Sequence, residues 1–225
     1  RPIDDSKDPS ELIDAVASFG RNESEICLLI GSVGSGKSTF TDFLRLEGLP
    51  QSTTNSTEWI NINLNKAPLT RDLIYKWVMS QAIDGIKKLH PSIDFDDIST
   101  IKKIFSKELA IIEKGKLSLF DKGSDRYKEA IYSEIDRLQQ DITNTLSGII
   151  NFIYKKINKL LVIVLDNCDK RNKDDQLLMF EVASWLKSTF PCMVFLPLRD
   201  TTYDQYRNEP PLDTVIKDLI FRIDP

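Results

Sequence analysis

Gly31-Ser32-Val33-Gly34-Ser35-Gly36-Lys37-Ser38 decides the reading of this chain. It fits G-x-x-x-x-G-K-[ST] at each fixed position, and its neighbours supply the context that pattern needs. Ile26-Cys27-Leu28-Leu29-Ile30 before it is an apolar run of strand length, and Thr39 to Leu46 after it continues as a helix. Glycines let successive backbone N–H groups turn inward around a phosphate. The helix N-terminus brings a partial positive charge to the same point. In such a loop Lys37 reaches the β- and γ-phosphates and the Ser38 hydroxyl ligates Mg²⁺, with Gly31, Ser32, Val33, Gly34, Ser35, Gly36 and Thr39 completing the cradle for ATP.

The second decisive run is Leu160-Leu161-Val162-Ile163-Val164-Leu165, apolar throughout, as expected of a parallel strand covered on both faces. It closes in Asp166-Asn167-Cys168-Asp169. An acidic residue ending such a strand, far downstream of a phosphate loop, is the expected partner of Mg²⁺, a role that falls to Asp166. Hydrolysing ATPases often carry Glu at the next position to align the attacking water. Asn167 stands there instead; it can orient a water but cannot take its proton. Asp169 could take that proton or could simply cap the following turn. Cys192-Met193-Val194-Phe195-Leu196 is another buried strand, leading through Pro197-Leu198 to Arg199-Asp200. A guanidinium there can contact the γ-phosphate and report its presence; the alternative is an ion pair with Asp200 or Asp204.

Strands alternating with helices give an α/β fold with a mostly parallel five-stranded sheet, the P-loop NTPase arrangement, with ligands at the carboxyl ends of the strands. The remaining strands are Trp59 to Leu64, alternating with Asn and placed near a sheet edge, and Leu219 to Ile223. Pro9 to Ser18 predicts a short helix, Gln51 to Glu58 a polar loop, and Thr70 caps a helix reaching Leu89. Residues 91–158 form a large helical insert before the acidic strand. Within it, Ile131, Ile135, Leu138, Ile142, Thr145, Ile149 and Phe152 make a heptad-like seam that predicts one long packed helix rather than a coiled-coil dimer. Asn172-Lys173-Asp174-Asp175 matches a guanine-reading motif, but it lies in a polar loop close behind Asp166, out of the place that role requires.

Composition sets the outer bounds. The 225 residues suit one large domain, with 41% hydrophobic and 28% charged residues. A net charge of −4 gives no general support for nucleic-acid binding. No apolar run is long enough to span a membrane. Three cysteines, in or beside apolar runs and without C-x-x-C spacing, read as reduced cytoplasmic thiols. His90 reads as a helix-end residue rather than a ligand. The chain opens on Arg1, which predicts a piece of a longer multidomain protein.

Taken together, the Pro9–Ser18 helix, the Gly31–Ser38 loop, the strand ending in Asp166-Asn167-Cys168-Asp169 and the strand closing in Arg199-Asp200 resemble the AAA-like STAND group of P-loop ATPases, which includes NACHT-type and KAP-type domains. The resemblance covers most of the chain except the helical insert. It implies a nucleotide-dependent switch in which Arg199 acts as sensor, other domains of the same chain are partners, and the active state is a homo-oligomer. Bacterial members of the group often act in antiviral defence. Asn167 departs from the pattern and implies slow hydrolysis. Two rival readings stay open: a motor-type AAA ATPase acting on nucleic acid, and a module that holds nucleotide without hydrolysing it.

Overall fold

The computed structural model describes residues 9–20, 23–168, 170–215 and 219–223. It is an α/β fold, and it divides into two compact units, residues 1–78 with 158–225, and residues 79–157.

The first unit is built on five strands: β1 (Glu25–Ile30), β2 (Thr57–Asn63), β3 (Leu160–Asp166), β4 (Cys192–Leu198) and β5 (Leu219–Arg222). Their order is β2-β3-β4-β1-β5, and every pairing is parallel. Parallel pairing requires crossover connections, and right-handed crossovers place helices on opposite faces when the chain changes direction across the sheet. The chain runs one way from β1 to β2 and the other way from β2 through β3 to β4. Both faces are therefore covered, which is why the β1, β3 and β4 sequences are apolar at nearly every position. On one face Cys27, Leu29, Val162, Val164, Met193 and Phe195 pack with Leu12, Val16 and Phe19 of α1 (Pro9–Ser18). Leu44 joins them from the helix that follows the glycine-rich loop, α2 (Lys37–Phe43), which runs on as a wider π-helical turn through Leu44–Gly48. α9 (Lys173–Thr189) packs on β4 and β1, burying Met179, Val182, Ala183 and Leu186.

β2 lies at the edge of the sheet, as its alternating Asn61 and Asn63 predicted; both are exposed while Ile60 and Ile62 are buried. The loop expected over 51–58 is instead α3 (Gln51–Ser56), with β2 already under way at Thr57. Its polar side chains bond locally in a helical pattern: Thr54 Oγ1 donates back to Pro50 O at 3.3 Å, and Gln51 donates to Asn55 four residues on. Thr53 is buried, so tertiary packing outweighs weak propensity.

The second unit begins inside α4 (Arg71–Leu89) and continues through α5 (Ile98–Ile104), α6 (Ser106–Lys114), α7 (Asp125–Gln140) and α8 (Ile142–Ile157). The single long helix expected across the heptad seam is two helices. Asp141 is extended, and its carboxylate accepts from Thr143 N and Asn144 N at 2.9 and 3.1 Å. An Asp that caps the next helix offers the chain a stop that outweighs continuation. The two halves of the seam then pack on each other, α7 against α8. Gly148 is where α8 meets α5: a Cβ there would lie 2.7 Å from Ile104 Cγ2.

The rest of the first unit is α10 (Asp200–Tyr206) and α11 (Leu212–Val215) between β4 and β5. Among the described residues no helix is long and apolar enough to cross a membrane, and no group of His, Cys, Asp and Glu is disposed to hold a metal by itself. The three cysteines are free and buried.

Candidate functional site

The strand order places three loops side by side. β4 lies between β1 and β3, so the residues that follow these strands, Gly31, Arg199 and Asp166–Asn167, converge on one edge of the sheet. The connections leaving β1 and β4 run to opposite sides, which opens a crevice at the carboxyl ends of two adjacent strands. A cleft of about 370 Å³ occupies that position, large enough for a small ligand. Its lining includes Gly34, Gly36, Lys37, Ser38, Asp166 and Arg199. Val33, Thr39 and Asn167 also face it, together with two residues the sequence reading did not single out, Lys170 and Pro197.

Two glycines of the loop hold a left-handed backbone. Gly34 and Gly36 have φ of 84° and 82°, in the left-handed region where side-chain-bearing residues are strained. Gly36 is the N-cap of α2, and no side chain caps that helix, so its first-turn donors face the cleft. Gly31 is buried and does not line the cleft. A Cβ there would come within 2.5 Å of Ser35 Oγ and 2.8 Å of the Ile223 carbonyl oxygen. Glycine is needed at this position for closeness, not for its φ. Ser35 Oγ is buried without a hydrogen-bond partner, an orphaned polar atom inside the loop. Lys37 Nζ lies folded on its own loop, donating to Gly31 O at 2.6 Å and to Ser32 O at 2.8 Å. Thr41 Oγ1 donates to Ser38 O at 2.8 Å and steadies the first turn.

Asp166 is the last residue of β3, opposite Asn63 of β2 in register. Its Oδ1 accepts from the backbone N–H of Asn167 at 2.8 Å, which orients the carboxylate. Asn167 itself has φ of 62°, a conformation Asn tolerates better than most residues. Its side-chain amide donates to Asn63 Oδ1 at 3.0 Å, and Asn63 Oδ1 also accepts from Asn65 N. The Asn167 side chain is thereby anchored to the end of the edge strand. Asn63 is a supporting residue that sequence reading assigned only to strand alternation; its place beside Asp166 follows from register alone. Cys168, wholly buried, ties the same turn to β4 by donating from Sγ to Pro197 O at 3.3 Å. Arg171 donates to Leu64 O and Ala67 O at 2.7 and 2.8 Å, pinning the next stretch to the turn after β2.

Arg199 lines the cleft and is half-buried. Of its two suggested acidic partners, Asp200 lies 3.7 Å from Arg222, which also stacks over the Tyr203 ring. Among the described residues lining the cleft, Lys37, Lys170 and Arg199 are the cations and Asp166 the carboxylate, a set suited to a polyphosphate. Asp169 lies outside the described residues. The guanine-motif match has a structural explanation: Asn172 is the N-cap of α9, accepting from Asp175 N at 3.0 Å. Lys170 had one legible signal, a cation in the Lys170-Arg171-Asn172-Lys173 run directly behind the acidic strand.

Compared with protein-family models and with curated proteins, the chain matches none.

Proposed function

We propose that this chain carries an ATP- and Mg²⁺-binding P-loop domain of the AAA-like STAND type, a slowly hydrolysing switch that controls the activation or oligomerisation of a longer signalling or antiviral-defence protein. The observation that supports it best is the meeting of the Gly31–Thr39 loop, Asp166, Asn167 and Arg199 around one cleft at the ends of three adjacent strands. The residues present fit the group: two left-handed glycines, an uncapped helix start, a lysine, a hydroxyl and an acidic strand end are the donor set a magnesium–triphosphate needs.

Binding would use the backbone N–H groups of the loop and Lys37. The ammonium would exchange the Gly31 and Ser32 carbonyls for phosphate oxygens, so those two hydrogen bonds are a cost that charge pairing must exceed. Ser38 and Asp166 would hold the metal, which when bound neutralises charge developing between the β- and γ-phosphates. Arg199 would read the terminal phosphate and Lys170 would add charge at the rim. Asn167, anchored by its amide to Asn63, can offer an oxygen to a water but holds no proton-accepting carboxylate. The domain thus retains its nucleotide longer than an enzyme with a general base at that place.

Calorimetric titration with MgATP tests the reading. Saturable binding is expected, lost in Lys37→Ala, with weak phosphate release lost in Asp166→Ala. Equal ATP binding by wild type and Lys37→Ala would reject it. Brisk turnover stimulated by DNA or RNA would select a motor ATPase instead, and tight binding with no phosphate release would select a non-hydrolysing module.

A further inference from the structure

The second unit has a cleft of its own, about 530 Å³, between α5, α6 and α7. Its size falls in the range of small-molecule sites. Its floor is apolar, formed by Leu109, Ala110 and Ile131. Lys102, Lys122 and Lys128 stand around it. Among the described residues neither Lys102 nor Lys122 has a carboxylate at ion-pair distance, while Lys128 lies 3.3 Å from Asp125.

The lone carboxylate in the lining, Glu113, is already engaged: the Tyr127 hydroxyl donates to its Oε1 at 2.6 Å, joining α6 to α7 across the cleft wall. Tyr132 offers a half-exposed ring at the rim, 52% accessible. The surroundings repeat the charge. Residues 102–128 hold eight Lys or Arg against four Asp or Glu, in a chain whose net charge is −4. Positive charge is thus concentrated on this short stretch, and three of its cations, Lys102, Lys122 and Lys128, line a concave surface with an apolar floor and two tyrosines.

We propose that this cleft is a second ligand site, for a small phosphomonoester bearing an aromatic or aliphatic body. The phosphate pairs with the ammonium groups of Lys102, Lys122 and Lys128, and the body lies on Leu109 and Ile131 beside the Tyr132 ring. A bare anion would leave the floor uncovered, and an uncharged apolar molecule would leave the lysines unused. The inference stands independently of the phosphate loop.

Phenyl phosphate is the probe, titrated calorimetrically into the whole 225-residue chain, with inorganic phosphate and benzyl alcohol as partial ligands. Saturable binding is expected, at least tenfold tighter than for either partial ligand. The surface double variant Lys122→Gln/Lys128→Gln should weaken it tenfold or more, and Lys37→Ala should leave it unchanged. Tyr132→Ala should reduce the preference for phenyl phosphate over inorganic phosphate, a readout that does not depend on the lysines. No saturable binding overturns the proposal. So do unchanged affinity in the double variant with native circular dichroism, loss of binding in Lys37→Ala, and equal affinity for inorganic phosphate, which would mean an adventitious ion only.

Discussion

Replacing Gly31 with Ala tests how the glycine-rich loop is seated on the sheet. The added methyl would lie 2.5 Å from Ser35 Oγ and 2.8 Å from the carbonyl oxygen of Ile223. The serine hydroxyl has no hydrogen-bond partner to lose and can rotate away. The carbonyl cannot yield so cheaply. The Ile223 N–H donates to Ile30 O at 2.7 Å, at the end of the β1–β5 pairing, so relief requires the strand end to shift. Crowding of this kind costs about 1–3 kcal/mol. In a chain of this size each kcal/mol moves Tm by about 2–4 °C, so a fall of roughly 4–8 °C is expected for a cost of about 2 kcal/mol. Thermal melts followed by circular dichroism, with urea midpoints beside them, measure it. Gly34→Ala is the contrast: its Cβ meets nothing within 4 Å, and its cost of about 1–2 kcal/mol comes from φ alone. Adding Ser35→Gly to Gly31→Ala should recover only the share owed to the hydroxyl. An unchanged Tm in Gly31→Ala, or full recovery in the double variant, would refute the claim that the Ile223 carbonyl enforces glycine here.

Three further outcomes follow from particular contacts. Asn167→Asp keeps a residue type that tolerates the left-handed backbone and adds a carboxylate. In the proposed switch the new carboxylate should raise phosphate release about tenfold or more, read by a colorimetric phosphate assay, even though it gives up the amide's bond to Asn63, and no increase would count against the role proposed for Asn167. Gly148→Ala gains about 1 kcal/mol of helix propensity. Against that gain it drives a methyl to 2.7 Å from Ile104 Cγ2 and 3.1 Å from Ile104 O. A net loss of about 1 kcal/mol in urea is expected from such overpacking, and a net gain would show that α5 and α8 give way readily. Asp97 caps α5, and the Ser99 hydroxyl with the Thr100 and Ser99 N–H groups hold its carboxyl below the ordinary carboxylate value. A depressed folded-state value means its contribution is present above the unfolded carboxylate range, near pH 4, and is lost as pH falls through the folded value. Asp97→Asn should therefore flatten the acid limb of stability below about pH 5; an unchanged limb would remove Asp97 from the acid response.

Much of the fold was legible because its signals are local. The loop from Gly31 to Ser38 names its own conformation, since only glycine takes the φ that Gly34 and Gly36 adopt without strain. Strands β1, β3 and β4 announced burial on both faces through unbroken apolar runs. Asn61 and Asn63 announced an edge strand by alternation. What failed locally had competing local options: polar Gln51–Ser56 reads as loop until packing buries Thr53, and the seam across residues 131–152 reads as one helix until Asp141 caps a second.

The sequence by itself determined the side chains on which the proposed chemistry rests: a glycine-rich loop with lysine and serine, an acidic strand end, an asparagine behind it and an arginine after the next strand. It could not determine that they share a cleft, because Gly31 and Asp166 are joined only by strand order. That order put β4 between β1 and β3, brought Arg199 between the two, and drew in Lys170 and Asn63, whose roles depend on register rather than on neighbours in the chain. Side-chain identity is a property of each position, whereas convergence is a property of the sheet, decided only when long-range parallel pairing sets which strand ends lie side by side.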